Sequence, residues 1–483
     1  MNKKSIKINF VMNAALQIAT VIFPLIIFPY VSRILGPEGI GSVTYAMTIV
    51  SYFMLVAMLG IPTYGIRACA QVREDKDKFS KIVQEILLIN VIVAGITLVV
   101  YLIALNTIAE MKSDKILYII CGSNLILNVL GMNWVYSALE EYRYITVRSI
   151  IFKLIGLILT FLLVHRKSDH LTYAGVTAFA TAGSNIFNFI NLRKYIRIKR
   201  YPRATYDLRR HIKPIFSFFG MGIAISIYSS IDILMLGNIQ GDTAVGYYNA
   251  AVKVQSCLLM VVVSLGTVLL PRMSYYYKHD RSAFVNVERK AIYSIMWMAV
   301  PLMVFFMIFA PETIWLVAGS EYEAAIMPMR ILMPIVLLTG LTNNLGNQIL
   351  IPSNKEQKVM ISTIVGAAVN IALNFLWISD FGVNGAAAAT VMAVIAVLIT
   401  ESVFVGKEFR KMLIQLRYFK LLMALIVSMT GMIWVKSLEL TEFWKITLGF
   451  GSSAMIYISV LFVLKEQVVR EVTRQFLRRT REK

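Results

Sequence analysis

The chain has 483 residues, 58% of them hydrophobic and only 16% charged, and its net charge is +21. Soluble domains carry about 25% charged residues, so an ordinary water-soluble globule is excluded. The positive charge gathers in alternate inter-helix segments, the positive-inside bias of a membrane protein, and this placement excludes a nucleic-acid binder.

Apolar runs of roughly 20 residues recur along the whole length, each long enough to cross a ~30 Å hydrocarbon core as a helix. They lack the period-two alternation of barrel strands. The expectation is an all-α polytopic membrane protein of about fourteen spans. The runs lie near 10–31, 40–60, 82–104, 116–138, 149–164, 171–191, 214–236, 247–270, 291–310, 328–350, 359–378, 385–404, 419–436 and 444–464. An even number places both termini on one side, and the basic ends make that side cytoplasmic. The basic start, MNKKSIKINF, leads into a retained first span, since no small-residue cleavage site follows it.

On the first span Asn13, Gln17, Thr20 and Pro24 share one helical face. Such a face either hydrogen-bonds a neighbouring helix or lines a cavity. Arg33 follows at the outer end. The second span leads to an inside loop with Arg67, Arg73, Lys76, Lys78 and Lys81. The fourth carries Asn124 and Asn128 one turn apart, and the run to Arg148 and Lys153 is a short inside turn opening the fifth. Between spans six and seven lie nine basic residues (Arg193 to Lys213), able to hold anionic headgroups at the inner surface.

Two pairs of segments repeat. RILGPEGIGSVTYA, from Arg33, lies on LMLGNIQGDTAVGYYNAA, from Leu234, with a small gap, and Gly41 matches Gly246 at an offset of 205. YAGVTAFAT, from Tyr173, lies on FGVNGAAAAT, from Phe381, at an offset of 210. Two offsets this close predict a duplication: a lobe at 1–192, a basic linker at 193–213, a second lobe at 214–406, two extra spans at 407–464 and a basic tail at 465–483. Six spans in each half make the repeats parallel about an axis along the membrane normal.

No nucleotide-binding, zinc-protease or nucleophile-elbow motif is present. The three cysteines are scattered without metal or disulfide spacing, so no cofactor is expected. The informative residues are ionisable groups in or at the ends of spans: Arg33, Lys153, Asp232, Lys253, Arg330 and Glu401. Asp232 and Lys253 either pair with each other or face water, and Glu401 reads as structural. The cationic excess favours an anionic ligand, guanidinium and ammonium suiting phosphate oxygens. The amide-rich tenth and eleventh spans, with Asn343, Asn344, Asn347, Gln348, Asn370 and Asn374, suit sugar hydroxyls.

Six segments carry a family resemblance: RILGPEGIG, GIPTYGIR, the run from Trp134 to Ser149, DILMLG, VGYYNAAVK and FGVNGAAAA. In this order they resemble the Wzx-type polysaccharide flippases of the multidrug/oligosaccharidyl-lipid/polysaccharide exporter superfamily. One departure is Ser137-Ala138, where relatives often carry Gln-Gly. The resemblance implies two six-helix lobes, two additional helices and alternating access. It implies a bacterial inner-membrane flippase for undecaprenyl-diphosphate-linked repeat units, coupled to a proton or sodium gradient. A polysaccharide polymerase and a chain-length regulator are the implied partners. On this reading Arg33, Lys153, Lys253 and Arg330 attract the anionic cargo and Asp232 couples an ion or gates. The rivals are a multidrug cation antiporter on the same fold and, from another class, a membrane polymerase or acyltransferase. The cationic balance disfavours the first, and the lack of a large outer loop or an intramembrane histidine disfavours the second.

Overall fold

The computed structural model describes residues 6–197, 202, 205–406 and 418–466. The tail from residue 467 and part of the 193–213 segment lie outside the described residues. Among the described residues the chain is helical, with no strand. Packing divides it into two compact units, Met1–Gly246 and Tyr247–Lys483.

The first unit contains α1 (Ile6–Met58), α2 (Ile61–Ala70), α3 (Lys76–Thr107), α4 (Lys115–Gly131), α5 (Asn133–Ala138), α6 (Tyr142–Leu163), α7 (His170–Ala178), α8 (Asn185–Asn191) and α9 (Arg209–Gln240). A π-helical turn, Phe179–Gly183, joins α7 to α8. α10 (Asp242–His279) begins at the end of this unit. In the second unit follow α11 (Arg281–Ile308), α12 (Ala310–Val317), α13 (Ile326–Leu332), α14 (Pro334–Asn343), a π-helical stretch at Asn344–Leu350, α15 (Glu356–Val405), α16 (Tyr418–Lys436) and α17 (Glu442–Val463).

Ten helices among the described residues are long and apolar enough to cross a membrane, or eleven if the bent pair at Ser320–Leu332 and Pro334–Leu350 is one span. This is fewer than the fourteen expected, and part of the difference is how broken helices are counted. α1 has 53 residues, about 80 Å of helix against a ~30 Å core. It breaks at Gly36 (φ 68°, ψ −179°), where only glycine is unstrained, and Pro37 follows. α15 has 50 residues and breaks at Gly382 (φ 54°, ψ −128°). Both breaks fall in the expected turns. The sixth expected span is divided by its π turn into pieces too short to count.

α3 shows how a lipid-facing helix is built. Ile92, Ile96, Val99 and Ile103, at helical spacing, stand exposed on one face. Val83, Ile86, Asn90, Thr97 and Tyr101 are buried on the other. An apolar exposed face has its proper solvent only in hydrocarbon. Within the buried face, the Asn90 amide donates to the Ala57 carbonyl at 2.9 Å. Asp75 opens the helix, accepting from the N–H groups of Asp77 and Lys78. These contacts hold its carboxyl below the usual range, the Lys78 N–H leading.

α1 and α6 run parallel. Thr146 donates to the Met12 carbonyl, and Tyr30 donates to that of Val164, each at 2.9 Å. The loops of the unit sort to two ends accordingly. At one end Arg73 meets Glu140, Arg197 meets Asp77 at 2.7 Å and Lys76 reaches the Lys194 carbonyl. At the other, His170 meets Asp114 at 3.6 Å, and Gly39 lies beside Lys167 and His170. The first end collects the basic loops of the sequence.

The hairpin repeat has a structural counterpart. Gly241 (φ 82°, ψ 179°) has the backbone conformation of Gly36, 205 residues earlier. The fully buried Ile40 and Ala46 match the fully buried Val245 and Ala251 at that offset. The Leu-Gly pairing of the sequence alignment (Leu35-Gly36 with Leu236-Gly237) is therefore displaced. The hinge glycine of the second hairpin is Gly241, and no gap is needed. α9, which opens the expected second lobe, packs on α1 and α2 within the first unit.

Candidate functional site

Polar side chains on a spanning helix must meet protein or water. Asn13, Gln17 and Thr20 on α1 are exposed. Thr20 satisfies its hydroxyl on its own helix, at the Leu16 carbonyl. Of the two readings of this face, a helix–helix seam leaves no open amides, whereas a water-lined wall does. On α9, which packs against α1, Ser229 is also exposed and donates to the carbonyl of Ile225.

The five ionisable candidates divide between the units. Arg33, Lys153 and Asp232 lie on α1, α6 and α9 of the first; Lys253 and Arg330 lie on α10 and α13 of the second. Arg33 is exposed and turns back on the Pro29 carbonyl of its own helix. Lys153 and Lys253 are half-buried, with no hydrogen bond or ion pair to either ammonium among the described residues. Asp232 is buried. The Arg330 Nε donates to the Met307 carbonyl at 3.2 Å, in the last turn of α11. Lys436 reaches the adjacent Ile308 carbonyl, so two cations cover the otherwise unpaired carbonyls of that helix end.

Three buried polar clusters are not assembled by the sequence, although it offers Glu401, Asn344 and Gln348 of the third. The first ties α2, α3 and α9 together. Glu85, fully buried, accepts from Arg210, from His211 Nε2 at 2.9 Å and from the Asp207 N–H at 3.0 Å. His211 Nδ1 meets the Tyr64 hydroxyl at 2.7 Å. Nothing in the sequence links His211 to a carboxylate 126 residues away.

The second cluster lies around Arg148. The helix of the fifth span starts at Tyr142, seven residues before the expected 149, so Arg148 lies inside it and not in a turn. It is 8% exposed and donates through Nη2 to Asn133 Oδ1 at 3.2 Å. The same oxygen accepts from Asn188 Nδ2 at 2.8 Å. Asn185 reaches Asn128 and Asn133, so amides from α4, α5 and α8 form one network.

The third belongs to the second unit. Glu288 on α11 and Glu401 on α15 are buried, and no cation pairs with either among the described residues. Glu401 accepts from Ser362 at 3.2 Å, and Gly346 lies against its Oε1. Asn344, beside Glu288, donates to Gln348 at 2.9 Å. The π-helical stretch thus lies between two buried carboxyls, and Asn344 and Gln348 of the tenth span are buried along it, whereas Asn343 and Asn347 are half-buried. Glu288 was hidden because the expected span began at 291, whereas α11 begins ten residues earlier. Asn370 and Asn374, one turn apart as expected, are hydrogen-bonded to each other at 3.1 Å.

Broken apolar helices long enough to span, with amides buried in pairs within them, define a polytopic helical membrane protein. A family model described as "Polysaccharide biosynthesis protein" matches residues 6–277, and a second, "MatE", matches 218–376. The chain belongs to the polysaccharide biosynthesis protein family. It is 24% identical over 390 residues to a putative O-antigen transporter of Escherichia coli K12, covering 80% of this chain and 93% of that one. It is 25% identical over 403 residues to a putative O-antigen transporter of Shigella dysenteriae, covering 83% and 98%. Among solved structures, the lipid II flippase MurJ in an inward closed conformation shares its fold, with a TM-score of 0.74 at 16% identity over 95% of this chain and all of that one.

Proposed function

We propose that this protein flips undecaprenyl-diphosphate-linked oligosaccharide repeat units from the inner to the outer leaflet of a bacterial plasma membrane, for O-antigen or a similar surface polysaccharide, with both termini cytoplasmic. The activity is transport, not catalysis. The observation that carries the reading is the exposed Asn13, Gln17 and Thr20 face on a spanning helix, in a chain whose O-antigen transporter relatives align over four fifths of its length. Exposed amides there require water, and a water-lined wall suits a glycan headgroup.

Arg33, Lys153, Lys253 and Arg330 attract the diphosphate or an acidic sugar, and Asp232 couples a proton or sodium gradient or gates. The half-buried, unpaired ammonium groups of Lys153 and Lys253 support the anionic choice, since the cost of burying them falls when an anion arrives. A polymerase and a chain-length regulator act on the exported unit. A multidrug cation antiporter shares the fold but gains nothing from these cations.

Deletion of the gene tests the reading. Lipid-linked single repeat units accumulate at the inner leaflet and surface glycan is lost, while sensitivity to cationic drugs is unchanged. Lys253→Glu, with membrane insertion intact, reproduces the loss. Normal surface glycan in the deletion strain, or a drug-efflux defect alone, overturns it.

A further inference from the structure

A groove of 570 Å³ opens on the first unit along α6, lined by Arg143, Tyr144, Arg148, Ile151, Phe152 and Phe187 among others. Arg148 is its buried end. A guanidinium has five N–H donors and no acceptor. Here one nitrogen reaches Asn133, whose oxygen also takes a bond from Asn188. Nε and Nη1 are buried and have no hydrogen-bond partner among the described residues. The guanidinium lies 5.7 Å from the centre of the Tyr144 ring, which covers one side without supplying an acceptor in the fork plane. A buried charged donor left unpaired is costly, so the site is complete only when an acceptor enters the groove.

The walls say what kind of acceptor. Val147, Ile151 and Phe187 are about half exposed, an apolar rim whose proper solvent is hydrocarbon. Arg148 is the seventh residue of α6, about 9 Å along the helix from its start. Arg143 adds a second, exposed cation at the mouth. The carboxylate among the lining residues, Glu141, is engaged with Tyr195. The ligand is therefore anionic, carries oxygens matched to a guanidinium fork, and bears an apolar chain that can follow Ile151, Phe152 and Phe187.

We propose that this groove is a lateral binding site for the phosphodiester headgroup of an anionic glycerophospholipid, held by Arg148 with Arg143 at the rim. Nothing in this assignment depends on which cargo the protein carries. A single phospholipid phosphate, reached by a small rotation of the Arg148 side chain into the groove, pairs with its two partnerless nitrogens. A zwitterionic headgroup brings a cationic end towards Arg143 and is disfavoured.

The test uses the full-length protein, purified in detergent, with native mass spectrometry to count bound lipid. The probes are phosphatidylglycerol, phosphatidylcholine of the same chains, undecaprenyl phosphate and inorganic phosphate. Wild type is expected to hold phosphatidylglycerol about tenfold more tightly than phosphatidylcholine, because only the choline headgroup brings a cation to Arg143. Arg148→Gln weakens binding of both glycerophospholipids about tenfold, and Arg143→Glu abolishes or reverses the preference for phosphatidylglycerol. Arg143 is exposed, so its variant decides the matter if Arg148→Gln does not fold. Equal binding of the two glycerophospholipids, or a preference unchanged in Arg143→Glu, overturns the site. Competition by millimolar inorganic phosphate overturns the lipid assignment in favour of a simple anion site. Tighter binding of undecaprenyl phosphate than phosphatidylglycerol overturns it in favour of a carrier-lipid site.

Discussion

The two repeated hairpins meet within the first unit through their glycines, and the contact makes a sharp prediction. A Cβ added at Gly41 would lie 1.7 Å from the Asp242 carbonyl oxygen and 2.9 Å from the Gly246 nitrogen. A Cβ added at Gly246 would lie 2.0 Å from the Pro37 carbonyl oxygen. Residues 37 and 242, like 41 and 246, are 205 apart, so the contact is reciprocal. Each glycine packs on the first residue after the other hairpin's hinge. The obstructing atoms are backbone, which cannot rotate away. An ordinary carbon–oxygen contact needs roughly 3.3 Å, so Gly41→Ala must separate the hairpins by roughly 1.5 Å; overpacking of this kind costs about 3 kcal/mol, at the upper end of its usual range. Alanine recovers about 1 kcal/mol of helix propensity, leaving a net loss of about 2 kcal/mol. Gly95→Ala is the control: it lies in α3 with nothing within 4 Å of the added carbon, so it keeps the propensity gain of about 1 kcal/mol. Reversible unfolding in mixed micelles should separate the two variants by about 3 kcal/mol. The double variant Gly41→Ala/Gly246→Ala should cost less than the sum of the singles, because both open the same crossing. If Gly41→Ala is as stable as Gly95→Ala, the close crossing is wrong, and with it the structural reading of the 205-residue repeat.

Three further outcomes follow from the polar contacts and the packing. Glu85→Ala removes the acceptor shared by Arg210, His211 and the Asp207 N–H; it should cost about 3 kcal/mol and speed amide exchange at the start of α9 in hydrogen-exchange mass spectrometry, whereas unchanged exchange there would show the cluster is not an anchor. Asp280 caps α11, and its carboxyl is held below the usual range by the Ala283 N–H, then by the Ser282 hydroxyl. Its stabilisation is present above the ordinary carboxylate value of about 4 and is lost as pH falls through the depressed folded value. Thermal unfolding of wild type should therefore fall relative to Asp280→Asn below about pH 4, and parallel curves would remove the cap from the account. Gly65→Val would drive a side chain into the Trp134 ring, 2.5 Å from the added Cβ, and should cost about 1–3 kcal/mol; a variant with unchanged thermal unfolding would show that α2 and α5 are not tightly packed.

What the sequence displays, and what it hides, follows from the range of the interactions. Apolar runs are local, so the spans and the turns at Gly36 and Gly382 can be read directly. The hairpin repeat is local twice over, and only its register misleads, because Leu236-Gly237 mimics Leu35-Gly36 one turn before the true hinge at Gly241. The buried ion and amide clusters obey a different logic. Glu85 stands next to a basic loop, where a carboxylate looks like ordinary surface charge, yet its partners His211 and Arg210 come from across the longest basic segment. Arg148 likewise lies beside a turn, and only the early start of α6 at Tyr142 carries it inside the helix, against amides from α5 and α8. Composition treats such residues as topological charge and takes mid-span lysines as the informative ones. Burial qualifies that ranking: Arg330 spends its Nε on the end of α11, whereas Arg148, at the edge of a span, has two buried nitrogens without a partner among the described residues. In a bilayer the decisive quantity is whether a charged group has spent its hydrogen bonds, and that depends on helices brought together from distant parts of the chain.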